Sequence, residues 1–532
     1  MREATPASAT SSFDAIIIGA GISGINAAYR LASDFPDYRY AILEARGSIG
    51  GTWDLFRYPG IRSDSDLYTF GFPWYPWNQP NPIAEGRNIV AYLENAASAH
   101  NITPNIHFRH SVRSVEWDQQ MWTINVDHDG SEAQFAAKFV IFGTGYYDYH
   151  EALQTMIPGI QDFQGDFIHP QFWPEDLDYT DKSIVVIGSG ATAVTLVPNL
   201  AKKAGRVTML QRSPSYIFSL PNSIKRGWLS RILPSKIAYY INRLWYLCSS
   251  QFMFRFSRWY PAAARAAIEK KTSAQLPLGI PLNPHFNPRY NPWEQRLCLC
   301  PDGDFFKALC SGKAQVETGI IGTIDSGGIQ LTSGQRLSAD TIITATGLKL
   351  QLAGGIHITV NGQEFDMSKK YMWNGLMLQD LPNAAILLGY TNASWTLGAD
   401  ASMLSICRLL KLMESKGHSV ACPYLSDSTQ LEPGPILNLN STYITRANGQ
   451  LPKGASQRPW IGRANYLSDL YFAKFGSDEV IEHTNIQIAN RRNDEYPVQI
   501  NKLQVDEIEL NSGDAQVAFL QGYFGELDYK IF

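Results

Sequence analysis

The sequence is short of cysteine, modest in charge and without a long apolar run. Six cysteines are scattered through 532 residues, at Cys248, Cys298, Cys300, Cys310, Cys407 and Cys422. No Cys-x-x-Cys occurs, and no Cys/His group has zinc spacing, so neither a metal site nor a redox-active dithiol is expected. So few cysteines in a long chain fit a reducing compartment, and a cytoplasmic protein is expected. No stretch reaches about 18 uninterrupted apolar residues, which excludes a membrane-crossing helix. The opening "MREATPASATSSF" lacks the apolar run of a signal peptide, and residues 1–12 read as a flexible tail. Charged residues make up 18% of the chain and the net charge is −4, which gives no reason to expect a nucleic-acid partner.

What is present is a large apolar fraction, 45%, and two copies of a phosphate-binding pattern. In "DAIIIGAGISGINAAYRLAS" an apolar strand runs into Gly19, Gly21 and Gly24, and a helical pattern follows at once. One glycine makes the tight turn, the next lets the backbone approach a pyrophosphate, and the third lets helix pack on strand. The helix N-terminus then faces the phosphates. The next strand, "YAILEAR", ends in Glu44, twenty residues after Gly24. An acid there accepts hydrogen bonds from a ribose diol.

The second copy is "SIVVIGSGATAVTLVPN", with Gly188, Gly190, Thr192 and Ala193 in the turn. The strand after it ends in Gln211 and Arg212 instead of an acid. An amide and a cation suit the 2′-phosphate of NADP better than the free hydroxyl of NAD. Two different dinucleotides are therefore expected, and the simplest pairing is NADPH as hydride donor to a bound flavin. Glu44 assigns the flavin to the first unit and Arg212 the NADP to the second.

The expected fold class is α/β with two Rossmann-like domains. "FVIFGTGYYDY" and "DTIITATGLKL" are apolar strands with Thr-Gly turns that bracket the second unit. They mark where the chain leaves and re-enters the first. The FAD domain is then discontinuous, 13–150 and 340–480, joined by a linker at 151–180 to an NADP domain at 181–339 with a helical insertion at 224–285. Residues 481–532 form an extension of unread role.

The linker holds "FQGDFIHPQFWP", in which Gly165, His169 and Trp173 recur at four-residue steps. Pro170 and Pro174 argue against a helix. The stretch resembles the signature of type I Baeyer–Villiger monooxygenases, Phe-x-Gly-x-x-x-His-x-x-x-Trp-Pro. "GGTWDLFRYPGIRSD" and "ITATGL" also resemble that family. "RYNPWEQRLCL" and "GYTNASWTL" are similar to its subgroup that includes the ethionamide-activating monooxygenase. The resemblance spans roughly residues 13–470.

It implies that NADPH reduces FAD, that dioxygen adds to the flavin as a C4a-peroxide, and that this inserts one oxygen into a ketone to give an ester or lactone, or oxidises sulfur. It implies that Arg296 stabilises the anions and that Asp64 orients it. It implies flavin contacts from Thr52, Trp53 and Asp64, an adenine contact from the backbone of Val112, and passage of the nicotinamide nucleotide near Arg62. Many relatives have Lys-Arg where this chain has Gln295-Arg296, which shifts phosphate binding toward Arg212. His169 is expected to act through hydrogen bonds, with Phe163 and Trp173 as apolar anchors and Gly165 as a permissive turn, coupling the two domains.

Three rivals stand beside this reading. A flavin-containing N- or S-oxygenase would have Tyr or Phe in place of Trp173. A disulfide reductase would need a cysteine pair. A redox-sensing dinucleotide binder would need neither Arg296 nor Asp64. "FGFPWYPW" reads as a rigid packing loop in preference to a substrate mouth. Trp395 reads equally as a buried structural residue or a substrate contact. Residues 224–272 hold ten Lys/Arg and one acid, Glu269, interleaved with aromatics. They read first as a helical cap with a solvated basic face, and second as a contact for an anionic membrane surface.

Overall fold

A computed structural model of the chain describes residues 11–223, 234–295, 297–425, 430–437, 444, 447, 449–463, 465–476 and 486–489. Arg296, the first residues of the expected insertion (224–233) and nearly all of the C-terminal extension lie outside them.

Two sheets organise the described residues. The first has nine strands. At its centre Ser11–Ile18 pairs in parallel with Tyr40–Leu43 on one side and with Ser131–Phe142 on the other. Ile16, Ile17 and their partners Ile42 and Val140 are fully buried, as a parallel strand covered on both faces requires. An antiparallel meander, His110–Trp117, Trp122–His128 and Ser131–Phe142, extends the sheet. The late strand Ala384–Ile386 pairs in parallel with Ser131–Phe142. The first strand begins at Ser11, so the expected tail is shorter than 1–12: Ser11 and Ser12 are already in register with Phe135 and Ala136.

The second sheet has five strands, all parallel, in the order Ala314–Thr318, Arg206–Gln211, Ser183–Ile187, Thr341–Thr344, Asp166–Ile168. Thr341–Thr344, expected to open the return into the first unit, sits inside this sheet, between Ser183–Ile187 and Asp166–Ile168. The return comes after it, with His357–Val360 joining the first sheet.

The signature segment is not helical, as its prolines demanded. Asp166–Ile168 is the edge strand, and one short turn of 3₁₀ helix spans Pro170–Phe172. Gly165 does not supply a turn. Its φ is ordinary, and a Cβ there would lie 2.2 Å from the carbonyl oxygen of Asp340. It is glycine because two backbones meet at that point. The backbone N–H of Asp166 donates to that same oxygen at 3.1 Å.

Between the sheets, Phe56 and Tyr58 reach from the first unit into the core of the second, beside Trp173 and Ile168. The helix Ser235–Trp259 packs back on the first unit through buried Tyr239 and Arg243. Arg243 Nη1 donates to the carbonyls of Tyr68 and Gly71, at 2.5 and 3.0 Å.

Gly165→Ala forces a Cβ against the Asp340 carbonyl and should destabilise the protein by about 1–3 kcal/mol. Thermal unfolding measures this, and an unchanged midpoint would show that the two strands can part without cost.

Candidate active site

Both phosphate turns lead into helices that begin without a side-chain cap. The helix Ile22–Asp34 starts after Gly21, and the helix Ala191–Leu200 starts after Gly190. In each, the first-turn N–H groups have no partner within the helix, and the positive end of the dipole is uncompensated. Both open on one cavity of about 220 Å³, walled by Gly21, Ile22 and Ser23 from one side and by Ala191, Thr192 and Thr195 from the other.

Protein packing explains only some of the glycines. Gly24 is forced: a Cβ there would lie 1.8 Å from the carbonyl oxygen of Gly19. Gly190 is not: a Cβ there would meet nothing within 4 Å. Space kept clear in front of an uncapped helix fits an approaching pyrophosphate. Glu44, just past Tyr40–Leu43, is buried, and its carboxylate accepts the N–H groups of Ala20 (2.7 Å) and Arg46 (2.9 Å). Those two bonds fix its orientation and leave lone pairs for a diol. Burial pushes its carboxyl above the ordinary value, against those hydrogen bonds. Val112 lies on His110–Trp117, whose His110 N–H donates to the Glu44 carbonyl at 2.8 Å. Glu44 and Val112 do not line the cavity.

The other expected flavin contacts, and the residue expected near the nicotinamide nucleotide, do meet the cavity. Thr52, Trp53, Arg62 and Asp64 all line it. The Thr52 and Tyr149 hydroxyls are 2.8 Å apart, and burial pushes the Tyr149 phenol up to about 12. Arg62 is ion-paired with Asp304 across the two units. Trp395 stacks on Tyr146, with centroids 4.8 Å apart, and donates its indole N–H to Ser23 at 2.9 Å. It is both a packed residue and part of the wall. Tyr146, Tyr149 and Asp304 were not singled out from the sequence. The tyrosines follow the Thr-Gly turn after Ser131–Phe142, and loops at the C-terminal ends of parallel strands are where such folds bind ligands.

A second, larger cavity of about 570 Å³ adjoins the first, and Asp64, Ser65 and Leu299 belong to both walls. Its roof is the helix Ser235–Trp259, through Asn242, Trp245, Tyr246 and Met253. Trp293 and Leu297, which flank the segment holding Arg296, also line it. Trp293 has a left-handed φ of 69°, a strained conformation for an indole residue and one that clusters at functional sites. Asp66 caps the helix Leu67–Phe70 by accepting the Thr69 N–H at 2.8 Å, and the Thr69 hydroxyl bridges it to Ser394. "FGFPWYPW" is a packing loop: Phe70, Phe72 and Trp77 are in the core, and Trp74 stacks between Phe72 and Tyr29.

In the second unit, Gln211 does not face a ligand. It is buried, and its amide donates to the carbonyl of His285 (2.7 Å) and the hydroxyl of Thr318 (2.9 Å). The strand end consumes it: Val207 to Gln211 are all buried, and Gln211 is the last of them. Arg212, the next residue, is exposed. The Ser189 hydroxyl ties the phosphate turn to it by donating to the carbonyl of Ser213 at 2.9 Å.

His169 joins the signature to the "ATGL" turn. Its Nε2 lies 3.3 Å from the carbonyl of Gly347, and its Nδ1 accepts the Gln171 N–H at 3.3 Å. That pairing selects the neutral tautomer with Nε2 protonated, and burial holds its pKa below the ordinary value. Phe163 and Trp173 pack into separate clusters of the second unit.

The cysteines give no second redox centre. None of the six is joined in a disulfide among the described residues. Burial pushes Cys300 up to about 12, and Cys407 and Cys422 higher still. None of these three is a reactive thiolate. Among the described residues no His/Cys/Asp/Glu group is arranged to hold a metal ion, and no helix is long and apolar enough to cross a membrane.

Residues 16–237 match the family model of pyridine nucleotide-disulphide oxidoreductases. The FAD-containing monooxygenase EthA of Mycolicibacterium smegmatis is 45% identical over 480 residues, covering 89% of this chain and 97% of the relative. A probable FAD-binding monooxygenase, AlmA, of Acinetobacter baylyi is 44% identical, covering 86% and 92%. Among solved structures, an oxidised steroid monooxygenase bound to NADP superimposes with a TM-score of 0.69 at 21% identity, covering 90% of this chain and all of the other. An open cyclohexanone monooxygenase gives 0.68 at 19%, with the same coverage.

Asp66 yields a prediction about pH. Burial raises its carboxyl to about 6, against the Thr69 hydrogen bonds and the Arg243 charge. Below about pH 4 the group is neutral in the folded and unfolded chain alike. Between there and about 6 the folded chain keeps a proton that the unfolded chain has lost. Stability therefore falls as pH rises through that window. Asp66→Asn keeps a cap and removes the titration, so its unfolding midpoint should change less across the same window. Parallel profiles for variant and parent would contradict the assignment.

Proposed function

The chain belongs to the family of FAD-containing monooxygenases, and from that premise we propose that it uses NADPH and dioxygen to insert one oxygen atom into ketones, giving esters or lactones, with sulfur oxidation as a side activity. One observation carries the reading. Two uncapped helix N-termini converge on a single small cavity, and that cavity shares the wall at Asp64 with a larger, mainly apolar one. Such a site suits two dinucleotides meeting beside a pocket for an uncharged substrate.

The residues present fit FAD. The first-turn N–H groups after Gly21 would hold its pyrophosphate and Glu44 a ribose, with Thr52, Trp53 and Asp64 at the flavin end. When bound, FAD supplies two-electron redox chemistry and the activation of dioxygen. The turn at Gly188, Gly190, Thr192 and Ala193 would hold the NADP pyrophosphate, and exposed Arg212 the 2′-phosphate. Val112 would meet the adenine, and Arg62, pinned by Asp304, would border the nicotinamide.

Arg296 is the residue we assign to catalysis. A guanidinium stays charged at every working pH. Next in sequence to Leu297, which lines the larger cavity, it would stabilise an oxyanion developing on the substrate carbonyl. Asp64, on the shared wall, would orient it. Tyr146, Tyr149 and Trp395 close the smaller cavity and exclude water. His169 acts at a distance, holding the signature segment to the Gly347 turn so that the second unit keeps its register over the first. The domain limits read from the sequence are proposed with three changes: the tail ends before Ser11, Asp166–Ile168 belongs to the second sheet, and the return to the first unit falls after Thr344.

Product analysis over a panel of ketones and thioethers, with NADPH consumption followed in parallel, tests the reading. Ester or lactone is expected from at least one ketone, and its absence across the panel would remove the Baeyer–Villiger assignment. Arg296→Ala should keep NADPH-driven flavin reduction and lose about 10²–10³-fold in oxygenation. Arg212→Ala should raise KM for NADPH about tenfold or more while leaving that for NADH nearly unchanged. Equal effects on both would place the 2′-phosphate elsewhere.

A further inference from the structure

The helix Ser235–Trp259 buries one face and exposes an equally apolar one. Tyr239, Arg243, Leu247 and Ser257 are buried against the protein. On the opposite side Ile241, Trp245, Phe252 and Trp259 are 53–71% exposed, and Cys248 is exposed among them. At 3.6 residues per turn these five side chains and Phe256 fall within about 80° of the helix circumference. Phe252 stacks on Phe256 at 6.1 Å, and Phe256 meets exposed Tyr260 at 5.7 Å, so the aromatics form a continuous strip. From Ile241 to Trp259 the strip is about 27 Å long. Among the described residues this is where large exposed apolar side chains concentrate.

The helix pair that carries it is mostly basic. Residues 235–273 hold seven Lys/Arg and a single acid, Glu269, in a chain whose net charge is −4. Arg255 and Arg258 sit along one edge of the strip. We propose that this strip is a docking surface for an anionic lipid bilayer, the helix lying in the plane of the headgroups. Trp, Phe and Ile are the side chains that enter the headgroup boundary, and flanking arginines meet anionic lipid. The local charge orients an otherwise acidic molecule on such a surface. A second copy of the chain fits less well, because two such faces would bring Arg255 and Arg258 against their own kind.

The same helix roofs the larger cavity, and Trp245 belongs to both the strip and the cavity wall. A docked helix therefore sets the cavity against the bilayer. Resting on the oxygenation proposed above, this makes the substrate class lipid-dissolved apolar ketones or thioethers.

The test uses the full chain loaded with FAD and sedimentation with vesicles of phosphatidylcholine alone or mixed equally with phosphatidylglycerol. Binding needs no turnover, so its outcome is independent of the oxygenase reading. The parent should sediment with the mixed vesicles, weakly with phosphatidylcholine, and less as salt rises. Phe252→Ser with Trp259→Ser touches neither cavity, and it should keep FAD content and NADPH oxidation while binding vesicles about tenfold more weakly. Arg255→Gln with Arg258→Gln should lose the preference for the anionic mixture. No sedimentation of the parent, or equal sedimentation of the serine variant, overturns the proposal. So does a parent oligomer in solution that the serine variant dissolves, which would make the strip a contact between copies.

Discussion

An unmet electrostatic demand shapes the centre of this molecule. Two helices end, without caps, on the same space of about 220 Å³, and each presents N–H groups with no internal partner. Such groups are costly to bury dry and favourable to place against an anion. Much of the surrounding architecture serves to keep them there. Gly24 locks the first helix to its strand by a contact that no other residue permits. Ser189 ties the second turn to the segment carrying Arg212. The Arg62–Asp304 pair and the buried Phe56 and Tyr58 hold the two units at a separation where both ends face one cavity.

The larger cavity follows from the same arrangement. Once the loop 61–69 is drawn toward the second unit, a roof is needed over its outer side. The helix Ser235–Trp259 supplies it, anchored by Arg243 on the carbonyls of Tyr68 and Gly71. A buried guanidinium that bonds backbone carbonyls fixes position more sharply than an apolar contact, since its donors are directional. The roof is therefore positioned by the loop whose residues Asp64 and Asp66 line the space beneath it.

How much of this could be read in the sequence depends on the range of the physics involved. Strand, glycine turn, helix and Glu44 are local events within about thirty residues, and each was legible. Pro170 and Pro174 correctly overruled the helical spacing of the signature. What failed was orientation. Gln211 looked like half of a phosphate site, but residues on a strand alternate sides, and its side was set by His285 and Thr318, distant in sequence. Gly165 looked like a turn, yet the reason for it is Asp340, 175 positions on. Thr341–Thr344 was recognisable as a strand, but its sheet was not, because pairing partners leave no local mark. The exposed aromatics at Trp245, Phe252 and Trp259 were visible as composition, and only the packing of the opposite face showed that they point outward.

The placement of Thr341–Thr344 beside Asp166–Ile168 has a further consequence, for the order of assembly. The second sheet is made entirely of strands that precede residue 345, whereas the first still awaits His357–Val360, Gln363–Glu364 and Ala384–Ile386. A chain emerging from the ribosome therefore holds a complete inner sheet while the outer one is unfinished. Until Ala384–Ile386 arrives, the strand Ser131–Phe142 has an open edge at Val140–Phe142, the most apolar part of its length. Such an edge invites wrong pairing. Synthesis of the last third of the protein is thus the interval in which the first third is most exposed to aggregation.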